Sequence, residues 1–453
     1  MKSAKLDMTT GAILPLTFKF ALPIIAGNIL QQFYSIVDSI VAGKFCGSTS
    51  LAAVGTSAQP IEVLLCIFMG IGGGVGILVS QATGRRDIEG IKSLIKTAVF
   101  FLYVTALPLT LIGILTGPYI LHLMQVPDDT LLLASTYLGV AFLGTLALMG
   151  YNMNAGILRG MGDSRASLIF LIISSFTNIA GDLIFVILLK LGVFGIALAT
   201  AISQYISWII SVIYIKKKYS ELKFSFLPHG MEKDVLKMIL SKGLPLGLNH
   251  SLYSFGHLVM QSIINTQGSI FIAGCSVATK ITGIANLSIQ AISQACSTFA
   301  GQNLGAEKYS RIKTGGRLLP FVSAFITFTA GTIFTLACRP LLKIFTNDME
   351  VLETAVLYIR VVLPFTCTYA LFNAIINIAN GLGDVKYSTI VNILLLWAVR
   401  IPTGFLLNAV GLGSYVMASI SVSFVFGMIC MLFYYRTKHW KEICLLAKSE
   451  KPD

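Results

Sequence analysis

Long apolar stretches recur along the whole chain and constrain its fold more than any other feature. A helix needs about 20 mainly apolar residues to cross a bilayer core of about 30 Å, and about twelve such stretches lie between residues 16 and 434. They leave about 38 residues for each span and its loop, too few for a separate soluble domain. They do not alternate apolar and polar residues as transmembrane strands do. We therefore predict an all-α polytopic membrane protein with twelve transmembrane helices.

Charged residues are few and unevenly placed, which excludes a soluble protein. They make up 12% of the chain, against roughly 25% in an ordinary soluble domain. With the N-terminus in the cytoplasm, 26 of the 33 Lys and Arg residues lie on the cytoplasmic side, five on the opposite side and two inside spans. The net charge of +13 is thus a topology signal. No nucleic-acid partner is expected, because no basic run carries a binding motif.

An internal repeat divides the chain. Arg159-Gly-Met-Gly-Asp163 recurs 221 residues later as Asn380-Gly-Leu-Gly-Asp384, and Tyr137 pairs with Tyr358 at the same offset. Each half holds six spans, so both halves enter the membrane from the same side and form parallel repeats, which are typical of transporters. The predicted parts are an N-terminal lobe 1–215, a cytoplasmic basic linker 216–237, a C-terminal lobe 238–436 and a cytoplasmic tail 437–453.

Acidic residues inside the spans are the first candidates for function, because a charge in the bilayer is costly and usually has a role. Only Asp38, Glu62 and Asp182 lie well inside predicted spans. Asn178 precedes Asp182 by one helical turn, so both lie on one helix face. The second half has no mid-span carboxylate.

Two basic residues, Lys280 and Arg400, fall inside spans of the second half, and we expect both to be buried. Three roles stay open for them: a structural charge network, contact with lipid headgroups, or an anionic-substrate site. The eight cysteines form no Cys-x-x-Cys pair, so no disulfide framework or cysteine metal site is expected.

Several motifs in one register resemble the multidrug and toxic compound extrusion (MATE) family. They are Leu22-Pro23 followed by Asp38, then SQATGRRD, ILRGMGDSR, AGQNLGAEK and NGLGD. The resemblance covers residues 16–436 and implies a V-shaped pair of six-helix lobes. It also implies export of organic cations in exchange for H⁺ or Na⁺, without a cofactor, from a bacterial cell membrane with both termini in the cytoplasm.

The resemblance also implies an ion site. In the DinF-like branch, the N-lobe cation site is similar to the set Asp38, Asn178, Asp182 and Thr200. The NorM-like branch places acidic residues in its seventh and tenth spans, and this chain has none there. Facing carboxyl groups suit a proton, and the same oxygens with an amide and a hydroxyl also suit Na⁺. No other metal site is predicted.

Four further residues are predicted to line a substrate cavity. Gln31 and Tyr34 share a face of the first helix with Asp38, Glu62 follows Pro60 in the second span, and Asn154 is added by the family resemblance. Ordinary hydrogen bonding between helices is an equally good explanation for each.

Two sequence features concern the helices themselves. Pro23 interrupts the hydrogen bonding of the first helix and is a candidate bending point. The run Met69-Gly-Ile-Gly-Gly-Gly-Val-Gly76 looks like a phosphate loop but lies mid-span, where small residues permit close helix packing.

The main alternative is a lipid-linked oligosaccharide flippase, which shares the overall design but needs a more cationic cavity. An enzyme is not expected, because no nucleophile, metal or paired-acid constellation appears at a membrane face. The expected partners are small organic substrates and membrane lipids, and the protein is expected to be monomeric.

Overall fold

The chain is helical throughout the part that the structure describes. This computed structural model describes residues 5–124, 126–346 and 348–437, and no β-strand occurs among them. The first eight helices are α1 (Ile13–Val41), α2 (Ser48–Arg85), α3 (Ile88–Leu123), α4 (Asp128–Leu143), α5 (Thr145–Gly160), α6 (Ser164–Asp182), α7 (Gly192–Lys218) and α8 (Lys233–Asn265). The others are α9 (Ser269–Gly305), α10 (Tyr309–Leu336), α11 (Cys338–Leu342), α12 (Met349–Val362), α13 (Thr366–Leu382), α14 (Val385–Ile393), α15 (Ile401–Ala409) and α16 (Ala418–Arg436).

Most of these helices are long and apolar enough to cross a membrane. Over the described residues ten helical spans qualify, with α12 and α13 counted as one span and α14 and α15 as another. The number is eleven when α4 and α5, which meet at a bend of 46°, are also taken as one span. The remaining predicted span lies in α8, a 33-residue helix that begins with several charged residues and is not among the ten or eleven. The all-helical membrane fold is therefore confirmed. α1 continues through Pro23 without ending there.

Two compact units share the chain. One comprises Met1–Asp7 and Leu22–Leu248, and the other comprises Met8–Ala21 and Asn249–Asp453. In the first unit α2 packs against α5, and in the second α9 packs against α13. These helices stand in the same order within each repeat, so the packing repeats as the sequence does. The predicted tail 437–453 lies, after Thr437, outside the described residues.

The glycine run of α2 lies in helix packing within the first unit. Gly74 faces the backbone of Gly243 on α8, where an added Cβ would lie 2.6 Å from the Gly243 nitrogen. Gly70 faces Gly247 in the same helix pair, with even less room. Only glycine permits two backbones to approach this closely. The run is a packing surface, as its mid-span position predicts.

Asp163 of the repeated Gly-x-Gly-Asp motif is a structural anchor at the start of α6. It caps the helix by accepting a hydrogen bond from the Ala166 backbone at 3.3 Å. Its carboxylate also accepts from Lys218 Nζ at 2.6 Å, Tyr214 at 2.8 Å and Tyr219 at 2.9 Å. Burial by itself raises the pKa of Asp163, but these hydrogen bonds and the charge of Lys218 hold it below its usual range.

Asp163→Asn is expected to destabilise the protein by about 2–3 kcal/mol, because it removes the buried carboxylate charge to which Tyr214, Tyr219 and the half-buried Lys218 donate. The folded-state pKa is depressed, so this stabilisation is present above the unfolded value of about 3.9 and is lost as the pH falls through the folded value. Thermal unfolding in detergent, measured between pH 3 and 8, checks both statements. The variant should lose less stability in acid than the wild type.

Asp87→Asn is the matched control, because Asp87 caps α3 in the same way, at 2.7 Å from the Gly90 nitrogen. Asparagine caps a helix about as well as aspartate, so this variant should change little. Equal losses in the two variants would contradict a special role for the Asp163 contacts.

Candidate functional site

Two intramembrane carboxyl groups lie next to each other in the first unit. Asp38 lies near the end of α1, and Asp182 is the last residue of α6. The Asp38 carboxyl lies within hydrogen-bonding range of Asp182 and Asn178. A π-helical turn follows each of the two helices, at Ala42–Cys46 and at Leu183–Leu188. Such turns are frequent at functional sites. The local sequence pattern did not predict them.

Asn178 and Thr200 extend this pair into a cluster of four. The Asn178 amide donates to Thr200 Oγ1 on α7 at 3.3 Å, and that hydroxyl donates to the Ile196 carbonyl at 3.1 Å. The spacing of Asn178 and Asp182 on α6 directs both side chains to the same face. The four residues named from the sequence thus meet at one place.

Most of the oxygens of this cluster are buried and accept no hydrogen bond in the part of the chain that the structure describes. Asp182 is fully buried, and Asp38 is 8% exposed. Among the described residues neither forms an ion pair, and four oxygens accept no hydrogen bond: Asp38 Oδ1, Asn178 Oδ1 and both carboxylate oxygens of Asp182. Two facing carboxyl groups can bond to each other only when one carries a proton, because an ionised carboxylate only accepts. The arrangement therefore has the chemistry of a site for a proton or a hard cation.

Apolar residues adjoin these four residues along the chain, and such surroundings lower the local dielectric. Val41, Ala42, Val186 and Ile196 form one buried cluster, against which Tyr137 of α4 packs. Tyr137 lies close enough to Asp38 and Asp182 to interact with their charges. Tyr137 is not among the site residues predicted from the sequence, and the available signal was its repeat partner Tyr358.

The four predicted cavity residues have different surroundings. Gln31 is exposed, and Tyr34 is half-buried within hydrogen-bonding range of Gln31. Asn154 is fully buried, and its amide donates to Ser211 Oγ at 2.8 Å, between α5 and α7. Glu62 belongs to α2, but its side chain lies outside the described part of the chain.

The two basic residues of the second half differ. Lys280 is exposed and lies over the Phe345 ring at 5.6 Å, so the expectation of burial is wrong for it. Arg400 is 3% exposed, and its Nε donates to Ser423 Oγ at 2.9 Å. Arg400 is thus a deeply buried cation in the second unit.

Comparisons with known proteins agree with this fold. A family model described as MatE matches residues 23–184 and 245–406. The probable multidrug resistance protein YpnP of Bacillus subtilis (strain 168) is 26% identical over 452 residues, which cover 98% of this chain and 99% of YpnP.

Solved structures with the same fold are less similar in sequence. An outward-facing multidrug resistance MATE family transporter of the MOP superfamily is 21% identical, with 98% of this chain and 99% of that chain covered and a TM-score of 0.88. A MOP superfamily transporter from Pyrococcus furiosus is 20% identical, with the same coverage and a TM-score of 0.89.

Proposed function

Because this chain belongs to the MatE family, we propose that it is a secondary active multidrug efflux antiporter. It exports organic compounds, mostly cationic and amphipathic, in exchange for H⁺ or Na⁺ by alternating access. Relatives named as multidrug resistance or multidrug export proteins match it over most of their length, which supports efflux over a lipid-linked oligosaccharide flippase. These relatives are transporters, and the chain is not an enzyme.

The observation that carries the ion coupling is the cluster of unpaired oxygens around Asp182. Four buried acceptors that accept no hydrogen bond from any described residue are costly, at about 1–3 kcal/mol or more for each charged group left unpaired. A proton or Na⁺ bound between Asp38 and Asp182 removes this cost. Asn178 and Thr200 supply the remaining amide and hydroxyl oxygens of the site.

Substrate recognition is assigned to the first unit as well. Gln31 and Tyr34 lie on the helix that carries Asp38, so binding an ion at Asp38 and binding substrate at this face affect the same element. Glu62 and Asn154 are further candidates, and Pro23 is the candidate bending point of α1. The excess of basic residues on one side supports an orientation with both termini in the cytoplasm, and the bacterial relatives support a bacterial cell membrane.

Efflux from proteoliposomes tests this function. Purified protein is reconstituted with ethidium or a fluoroquinolone inside the vesicles, and a pH gradient and a Na⁺ gradient are imposed separately. We expect one of the two inward gradients to accelerate efflux, which identifies the coupling ion. Dissipating that gradient with an ionophore should return the efflux rate to that of drug-loaded liposomes without protein.

Two results would count against the proposal. The absence of any response to either gradient, with protein shown to be folded by size-exclusion chromatography, excludes antiport of these compounds. Translocation of a fluorescent lipid-linked sugar by the same vesicles, without drug efflux, would instead support the flippase.

A further inference from the structure

Arg400 is a buried cation that lacks a full set of partners. Its Nε is bonded to Ser423, but among the described residues its Nη2 has no hydrogen-bond acceptor. The guanidinium lies over the rings of Tyr253 at 5.9 Å and Phe424 at 5.3 Å. Cation–π contacts of this kind stabilise a desolvated Arg. They supply no counter-charge, so among the described residues the positive charge stays uncompensated.

No carboxylate of the described second unit is placed to provide that counter-charge. Asp348 and Asp384 cap α12 and α14, Glu350 and Glu353 lie in the first turns of α12, and Glu307 lies between α9 and α10. Arg400 instead ends the π-helical turn Leu394–Arg400, within the membrane-spanning segment Val385–Ala409. A charge at this depth is retained only where a partner or a ligand offsets its cost.

A cavity lies directly beside Arg400. It measures about 110 Å³ and is lined by Arg400, by polar groups including His257, Gln261, Ser276 and Tyr358, and by apolar residues including Met260. A single water needs about 10–15 Å³ of cavity volume, so the cavity has room for a small ligand with one or two waters. A cation at the wall and hydrogen-bond donors around it are the chemistry of an anion site.

The internal repeat gives a second reason to expect a ligand here, and this reason rests on the ion site proposed at Asp38. At the offset of 222 residues that pairs Leu22-Pro23 with Leu244-Pro245, Asp38 corresponds to Met260, and at 221 residues Tyr137 corresponds to Tyr358. Met260 and Tyr358 both line the cavity. The cavity is therefore the second unit's counterpart of the Asp38 cluster, with the charge reversed.

We propose that this cavity binds a monovalent anion through Arg400, either chloride or the carboxylate group of an organic compound. The anion offsets the charge of Arg400 and accepts hydrogen bonds from its guanidinium. The two sources share one chemistry and differ in size, so a titration with both kinds of anion separates them. The site does not depend on which ion drives transport or on transport taking place.

The test is the thermal unfolding midpoint of the full-length protein in detergent, titrated with sodium chloride, sodium acetate or sodium benzoate. Sodium methanesulfonate makes up the remaining salt at each point of the titration, so the Na⁺ concentration and the ionic strength stay constant. Any effect of Na⁺ on the Asp38 cluster is then the same at every point. A bound ligand raises stability by RT ln(1 + [L]/Kd), so we expect a saturable rise. Chloride alone raising the midpoint identifies an inorganic anion, and the carboxylates alone identify an organic one.

Three variants tie the response to the cavity. Arg400→Gln should weaken the apparent affinity by at least about tenfold, as for loss of a charged hydrogen-bond donor. Ser276→Leu keeps Arg400 but fills the cavity, and it should abolish the saturable response, which decides the matter if Arg400→Gln does not fold. Lys280→Gln removes an exposed basic residue of the same unit and should titrate as the wild type.

The proposal is overturned if none of the three anions gives a saturable rise over methanesulfonate. It is equally overturned if Ser276→Leu titrates as the wild type, or if Lys280→Gln loses the response. Failure of drug efflux in vesicles bears on the proposed antiport only, because anion binding is measured without any gradient.

Discussion

Asp182→Asn is expected to abolish ion-driven efflux and, at the same time, to stabilise the protein. Asparagine keeps the size of the side chain but removes a fully buried charge that has no positive partner in the described part of the chain. Loss of the ion site should lower gradient-driven efflux by at least about tenfold. In Na⁺-free alkaline buffer, removing the uncompensated charge should raise the free energy of unfolding by about 1–3 kcal/mol. Proteoliposome efflux and thermal unfolding measure the two effects.

Asp38→Asn should change transport in the same direction, because both carboxyl groups belong to one site. Asp128→Asn, an exposed residue in the first turn of α4, is the matched control and should leave efflux and stability unchanged. If the two buried acids only cross-link α1 and α6, the substitutions should lower stability and leave the response to the gradient intact. That pattern would refute the assignment of an ion site.

Gly70→Ala is expected to destabilise the first unit more than any other single methyl group added to α2. The new Cβ would overlap the backbone of Gly247 on α8, and backbone atoms cannot move aside as a flexible side chain can. Overpacking a tight core costs about 1–3 kcal/mol when side chains yield, so we expect at least about 3 kcal/mol here. The measurement is the yield of monodisperse protein by size-exclusion chromatography, together with its thermal unfolding midpoint.

Gly72→Ala provides the matched control two residues further along the same helix. Its Cβ would meet the backbone of Asn152 and Met153 at 3.8 Å, an ordinary van der Waals distance. This variant should fold with nearly wild-type stability, since alanine also has the better helix propensity. Similar yields and midpoints for the two variants would show that the α2–α8 contact is looser than the structure describes.

The packing role of the glycine run in α2 is predictable from the sequence, but its packing partner is not. Its mid-span position is enough to predict close packing and to exclude a phosphate loop, because small residues are what membrane helices use to approach each other. The partner helix is not predictable from the run itself. Gly70 and Gly74 meet α8, whereas the face that carries Gly72 meets α5, and these partners lie far away along the chain.

The residues of the ion site were also predictable from the sequence only in part. A carboxylate in an apolar stretch can be found from the sequence, because charged residues are rare inside membrane spans. The spacing of Asn178 and Asp182 also gives their shared face. The contribution of Tyr137 could not be read in this way, because a tyrosine in a membrane helix is ordinary and only its contact with the acids distinguishes it.

Arg400 illustrates which properties are determined by the sequence and which are determined by the tertiary structure. The sequence alone determined that the chain crosses the membrane many times, that its halves repeat in parallel, and that a few charges lie inside the spans, because hydropathy, periodicity and offset are properties of residue order. Only the tertiary structure decided that Asp38 meets Asp182, that Lys280 is exposed, and that Arg400 borders a cavity with no acidic partner among the described residues. Burial and pairing depend on distances between segments remote in the chain, and these distances are set by helix packing and π-helical turns that no local pattern encodes.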